Sequence, residues 1–401
     1  MRLSSLVIAL TRRGIVAMLA AAAMLAGMLP LAAAPALPEA GAGRIRLMRT
    51  ADIPFERYSV SPTPAEITFM NRWFDRMMVY RPYFDSRLRW YPAAWFYQNS
   101  YALYPEAKIT HQHPEWILRD KEGRRLYIPW GCAHGTCPAF AANIFSPAYR
   151  AWWIEQAREG LAAGYRGIFI DDVSLTRRVS DGRGEMVAPI DPVTGRPIGK
   201  AAWAQGMAAF MEQVRRALPG TEIVHNGVWF YGAITPGGAA VQRRQITAAD
   251  YSMMEFGVTD QGVGGGTGPY SLASLMTTVD LTHAAGRGVI LGGTPPDAAG
   301  RTYAVGCYLL VTDGRDFIAD DNVTPDDPKP IYRLALGAVQ GARYRWHGMW
   351  RRDFAGGSVV VNPPDGPAQP LAGLPGRQWD GTALPTSLPP RAAVIVTPAP
   401  R

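Results

Sequence analysis

Four apolar runs in this chain end in side chains that could do chemistry. Gly167-Ile168-Phe169-Ile170 runs into Asp171-Asp172, and Tyr251-Ser252-Met253-Met254 runs into Glu255. Glu222-Ile223-Val224 leads to His225-Asn226, and Ala93-Ala94-Trp95-Phe96 leads to Tyr97-Gln98-Asn99. Two carboxylates brought together from different runs suit glycoside hydrolysis. One protonates the leaving oxygen, and the other attacks the anomeric carbon or activates water. Asp171 directly follows a buried-looking run and should emerge where that run ends. Its bland alternative is a helix cap, but Asp171 and Asp172 cannot both fill one cap. Glu255 follows an apolar run of low charge. Desolvation there would raise its pKa and suit it to a general acid; the alternative is an ion pair with a neighbouring arginine. The aromatic rings of Trp95, Tyr97, Trp130, Trp229, Phe230, Tyr231 and Phe256 lie beside these run ends. A sugar's C–H face packs on such planes, and Asn99, His225 and Asn226 would add polar contacts to a substrate.

Elements of a definite kind must position these groups. Helical patterns fall at 151–163, 201–218, 272–285 and 303–311, with Gly164 and Pro219-Gly220 as stops. They alternate with short apolar runs at 93–97, 167–171, 222–226, 251–255, 288–292 and 316–318. Such alternation means parallel strands buried on both faces. Over residues 51–342 it predicts an α/β fold, a TIM-type (β/α)8 barrel, in which catalytic residues sit at the C-terminal ends of strands. A doubly wound sheet is the rival, but no glycine fingerprint follows a first strand. Residues 343–401 change character. Gly357-Ser358-Val359-Val360-Val361 has no helix after it, and the segment reads as a small all-β, sandwich-like module.

The rest of the sequence limits partners and location. Residues 1–36 read as an export signal: Arg2, Arg12 and Arg13, an apolar run 15–34, then small residues as cleavage sites. Thr11-Arg12-Arg13-Gly14-Ile15 resembles a twin-arginine signal; an uncleaved anchor is the alternative. Residues 37–50 read as a linker. The expected location is periplasmic or extracellular, with no stable membrane insertion after cleavage. The full chain of 401 residues carries a formal +8, with 41 basic and 33 acidic side chains. Without the three signal arginines the net charge is +5, scattered rather than clustered, so nucleic acid is not an expected partner. Cys132 and Cys137, five apart, suit a small-loop disulfide in an oxidising compartment, and Cys307 lies in an apolar helical pattern as a buried thiol.

At this point the sequence resembles a family. Residues 164–173, Gly-Tyr-Arg-Gly-Ile-Phe-Ile-Asp-Asp-Val, look like the strand-4 motif of the hypothetical glycosyl hydrolase family fifteen, which is distantly similar to endo-α-1,4-polygalactosaminidases. His113-Pro114-Glu115-Trp116-Ile117-Leu118-Arg119-Asp120 with Lys121-Glu122-Gly123, Pro147-Ala148-Tyr149-Arg150 with Trp153, Trp350-Arg351-Arg352-Asp353-Phe354 and Leu388-Pro389-Pro390-Arg391 carry the same likeness. It implies Asp171 as nucleophile or base and Glu255 as acid/base. The family itself supplies no substrate; export, the rings and the likeness together point to a poly- or oligosaccharide of the cell envelope or an exopolysaccharide, and two-carboxylate catalysis requires no metal and no organic cofactor. Two rivals stand beside it. One is a non-catalytic sugar-binding barrel. The other is a metal-dependent amidohydrolase built on His111, His113, His225, His283 and Asp313, whose residue types suit zinc. The glycine-rich stretch 262–268 matches no motif. The acidic stretch 313–327 lacks the spacing of a calcium hand and suits solvated turns and helix caps.

Overall fold

The computed structural model describes residues 43–255, 257–258, 263–292 and 294–398. Eight parallel strands close into a barrel: β1 (Leu47–Thr50), β2 (Arg76–Val79), β3 (Ala94–Asn99), β4 (Gly167–Asp171), β5 (Glu222–Asn226), β6 (Tyr251–Met254), β7 (Gly288–Leu291) and β8 (Phe317–Ala319). Each pairs with its neighbours in sequence, and β1 closes on β8. The expected barrel is therefore present, but it begins earlier than the sequence suggests. Strand β1 lies inside the stretch read as a linker, and β2 was not recognised. Arg49 interrupts the apolar run of β1, and Arg76 opens β2, leaving only the three-residue apolar run Met77-Met78-Val79.

The longer helices alternate with the strands: α1 (Pro64–Trp73), α2 (Pro147–Ala162), α3 (Lys200–Ala217), α4 (Gly238–Thr247), α5 (Leu272–Ala284) and α6 (Ala298–Val311). Helix α2 starts on Ser146, whose hydroxyl accepts from the Tyr149 amide, with Pro147 supplying a preset φ at the first helical position. Helix α3 buries Trp203, Met207, Phe210, Met211 and Val214 at helical spacing. Its first residue is Lys200, capped by Gly199, so neither Asp171 nor Asp172 is a helix cap.

Alternation along each strand sends every second side chain inward. Met48, Met78, Trp95, Phe169, Val224, Ile290, Phe317 and Ala319 fill the barrel as one cluster, with Tyr97, Tyr251 and Met253 packed against it. Below that layer, Glu222 closes the N-terminal base. Its carboxylate accepts from Arg76 Nη2 at 2.7 Å, Arg76 Nε at 2.8 Å, Trp95 Nε1 at 2.7 Å and Arg166 Nε at 2.9 Å. Burial alone would raise the Glu222 pKa, but these donors hold it down at about 2.

The C-terminal segment forms an antiparallel sheet from Tyr344–Trp346, Met349–Phe354, Gly357–Asn362, Ala392–Thr397 and Arg377–Gln378, in that spatial order. It has its own small core of Met349, Val360, Leu371, Leu374, Leu388, Val394 and Val396. A separate two-stranded pair, Gln369–Pro370 with Ser387–Leu388, accompanies the sheet. The sheet's other face lies on α6. A Cβ at Gly306 would meet the Ala393 Cβ at 2.6 Å, so the sheet lies close only because that helix position is bare. The module also reaches the loop beyond Glu255. Arg391 Nη2 donates to the Val263 carbonyl at 3.0 Å, and the Gly266 amide donates to Asp365 Oδ2 at 2.7 Å.

Candidate active site

The C-terminal mouth of the barrel collects the carboxylates expected from sequence. Asp171 ends β4 on the inner face, one repeat above Phe169. Its Oδ2 accepts from the Tyr97 hydroxyl at 2.8 Å. Its Oδ1 accepts from Asn226 Nδ2 at 2.9 Å and from the Asp172 amide at 2.7 Å. Three donors therefore fix this carboxylate in one orientation, and none of them carries a charge. Glu255 stands in the turn after β6, where its Oε2 accepts from Asn226 Nδ2 at 3.0 Å. One amide nitrogen thus serves both acids. Glu255 is solvent-exposed, so the burial expected from its apolar neighbours is absent.

Asp172 is the unusual member. It adopts φ 54°, a left-handed conformation that short polar side chains tolerate better than most. Its Oδ2 accepts from Asn99 Nδ2 at 2.7 Å, and Arg178 lies 3.5 Å from its Oδ1. Burial and then the Asp171 charge push its pKa up to about 6, against the opposing pull of Asn99 and Arg178. Burial and the same Asp171 charge raise the Tyr97 pKa well above that of a free phenol, so Tyr97 remains a donor.

Two tyrosines that sequence reading missed complete the mouth. Tyr80 follows β2, and its ring centroid lies 5.2 Å from that of Tyr97. Tyr104 is 39% exposed, and burial followed by the charges of Asp171 and Asp172 raises its pKa. Tyr80 directly follows the run Met77-Met78-Val79, a usable signal once β2 is recognised. Arg178 had no sequence signal beyond following Asp172 by six residues.

Several expected substrate contacts lie elsewhere. Trp95 shares the inner face with Tyr97 and Asn99 but sits one layer deeper. It is fully buried, packed on Tyr251 and Phe317 and bonded to Glu222. His225 neighbours Asn226 in sequence, so it points to the opposite, outer face. There it lines a small cleft with Gln242, Gln245, Ser252, Thr278 and Thr282. Burial lowers its pKa to about 3, keeping the ring neutral. Trp229 and Tyr231 are also buried, and Trp229 packs on Phe230 and Tyr270. Trp130 is 66% exposed just before the loop closed by the Cys132–Cys137 disulfide, a pairing expected from their spacing. Cys307 is buried, and burial pushes its thiol up to about 12. Phe256 lies outside the described residues.

Comparison with known proteins adds one decisive match. The description "Hypothetical glycosyl hydrolase family 15" covers residues 77–358, from the second barrel strand into the C-terminal sheet. The chain belongs to this family. It is therefore a glycosidase, as its mouth chemistry led us to expect. No curated protein matches its sequence. Among solved structures, this family 15 chain is similar to the glycoside hydrolase domain of PelA from Pseudomonas aeruginosa, at 14% identity and a TM-score of 0.43, covering 71% of this chain and 99% of that one. It is also similar to an α-galactosidase from Lactobacillus brevis, at 10% identity and a TM-score of 0.48, covering 90% and 55% respectively.

The amidohydrolase arrangement does not assemble in this family 15 barrel. His283 ends α5 and Asp313 precedes β8, both at the base rather than the mouth. His283, Asp313 and Asp316 do lie together there. Asp316, however, already accepts from the Val289 and Asp313 amides and pairs with His283 at 2.9 Å. Aspartates of the acidic stretch likewise have protein partners: Asp320 with Arg301 and Tyr332, Asp321 with Arg49 and the Thr50 amide, Asp326 with Arg57 and Tyr58.

Proposed function

We propose that this family 15 protein is an exported hydrolase that cleaves glycosidic bonds of a poly- or oligosaccharide through Asp171 and Glu255. The observation that carries the reading is their convergence: two acids from different strands meet on the single amide of Asn226 at the barrel mouth. Glu255, open to solvent, delivers a proton to the departing oxygen. Asp171, held by three donors, faces the anomeric carbon as nucleophile or base. Tyr80, Tyr97 and Tyr104 offer ring faces beside the acids. The basic start, apolar run and small-residue exit within residues 1–36 support export to the periplasm or beyond, and that segment lies outside the described residues. Among the described residues no helix is long and apolar enough to cross a membrane. A cell-envelope polysaccharide or exopolysaccharide suits such a location.

The test is a panel of envelope polysaccharides and exopolysaccharides with product analysis, run on wild type, Asp171→Asn and Glu255→Gln. Wild type should release shortened chains. Asp171→Asn should lose at least about a thousandfold, and Glu255→Gln about 10²–10⁴-fold. Full turnover by Asp171→Asn would overturn the assignment.

A further inference from the structure

The shared amide also limits how far apart the bonded oxygens of the two acids can stand. Asn226 Nδ2 lies 2.9 Å from Asp171 Oδ1 and 3.0 Å from Glu255 Oε2. Laid end to end, those two bonds separate the carboxyl oxygens by at most about 5.9 Å. Through the trigonal fork of an amide nitrogen the separation is about 5 Å. A retaining glycosidase needs about 5–5.5 Å between its carboxyl groups, and an inverting one needs about 6.5–9.5 Å to admit a water.

Resting on the catalytic reading above, we infer that the enzyme acts by double displacement with retention of configuration, and that Asn226 is the positioning residue that sets the spacing. The amide orientation follows from its neighbours. Both partners present acceptor oxygens, so the nitrogen rather than the oxygen must face them. Asn226 is itself 9% exposed and ends a strand paired on both sides, so it cannot drift as a loop side chain could.

The chemistry then proceeds in two balanced steps. An Asp171 oxygen forms a bond to the anomeric carbon as the glycosidic bond breaks. The electron pair of that bond leaves on the glycosidic oxygen, which takes the Glu255 proton. Water next attacks the same carbon and gives a proton to the Glu255 carboxylate. The ester bond breaks, and its electron pair returns to Asp171. Asp171 therefore acts as nucleophile, and the choice between nucleophile and base closes.

The experiment uses the full-length enzyme on a polysaccharide it cleaves, with methanol added as a competing acceptor and proton NMR reading the first-formed anomer. We expect methyl glycosides of unchanged anomeric configuration, which only a covalent intermediate exposed to the acceptor produces. Asn226→Ala should lower kcat at least about tenfold and shift the pH profile, with KM and melting temperature little changed. First products of opposite configuration, with no methyl glycoside while Asp171→Asn is inactive, would overturn retention alone. Activity in Asp171→Asn would instead overturn the underlying catalytic reading. An Asn226→Ala variant with a wild-type rate and pH profile would remove the positioning role.

Discussion

Strand β5 begins at one carboxylate, Glu222, and ends at a group of three, and the two ends are handled in opposite ways. At the base, Glu222 is matched by the guanidinium groups of Arg76 and Arg166 and by the Trp95 indole. At the mouth, Asp171 is held by the neutral Tyr97, Asn226 and a backbone amide, while Asp172 accepts from Asn99 and Glu255 from Asn226. Arg178 lies 3.5 Å from Asp172. The base neutralises its acid and makes it inert. The mouth orients Asp171 on neutral donors, which leaves its charge available to act on a substrate. Strand ends that hold acids on neutral donors commonly give up stability for function.

The largest stability effect should come from the base. Glu222→Gln leaves Arg76 buried without its partner, which should cost about 3–5 kcal/mol in urea unfolding while turnover per folded molecule stays near wild type. At the mouth, Tyr97→Phe removes one donor to a charged acid. It should lower kcat by about ten- to a hundredfold, equivalent to roughly 1.5–3 kcal/mol, with a smaller change in melting temperature. A rate loss under Glu222→Gln comparable to that of Tyr97→Phe would erase the distinction between the two ends.

The pH dependence sharpens the same contrast because the two ends carry opposite signs. Glu222 is depressed from 4.5 to about 2. Its contribution is present above pH 4.5 and is lost as pH falls toward 2, up to about 3 kcal/mol. Asp172 is raised from 3.8 to about 6. It therefore opposes folding above about pH 6, and that opposition fades as pH falls toward 3.8. Asp172→Asn, which tolerates the left-handed backbone, should stabilise the protein by about 1–3 kcal/mol at pH 8 and by almost nothing near pH 4. Unfolding curves at the two pH values check this. A constant difference between variant and wild type would contradict it.

Much of this arrangement was legible in the residues. Asp171 stood out because a four-residue apolar run must bury a strand and release the next side chain at its end. Tyr97 and Asn99 followed from the same logic on β3. What sequence could not show was depth. Alternation assigns a face but not a layer, so Trp95 looked equivalent to Tyr97 while lying beneath it. Facing could have been read more strictly, since His225 and Asn226 are adjacent and cannot both point inward. Strands β1 and β2 were obscured by Arg49 and Arg76. Arg76 opens its strand as the cross-barrel partner of Glu222, and that pairing of residues 146 apart leaves no local trace. The link through Asn226 likewise depends on three strand ends meeting, which no single segment reveals.

The most direct test of this account measures turnover and urea unfolding on one preparation of Asp171→Asn at pH 7. If the mouth holds its acid for chemistry rather than for folding, turnover falls at least about a thousandfold while unfolding free energy stays at or above the wild-type value. A stability loss like that expected for Glu222→Gln, with turnover intact, would contradict it.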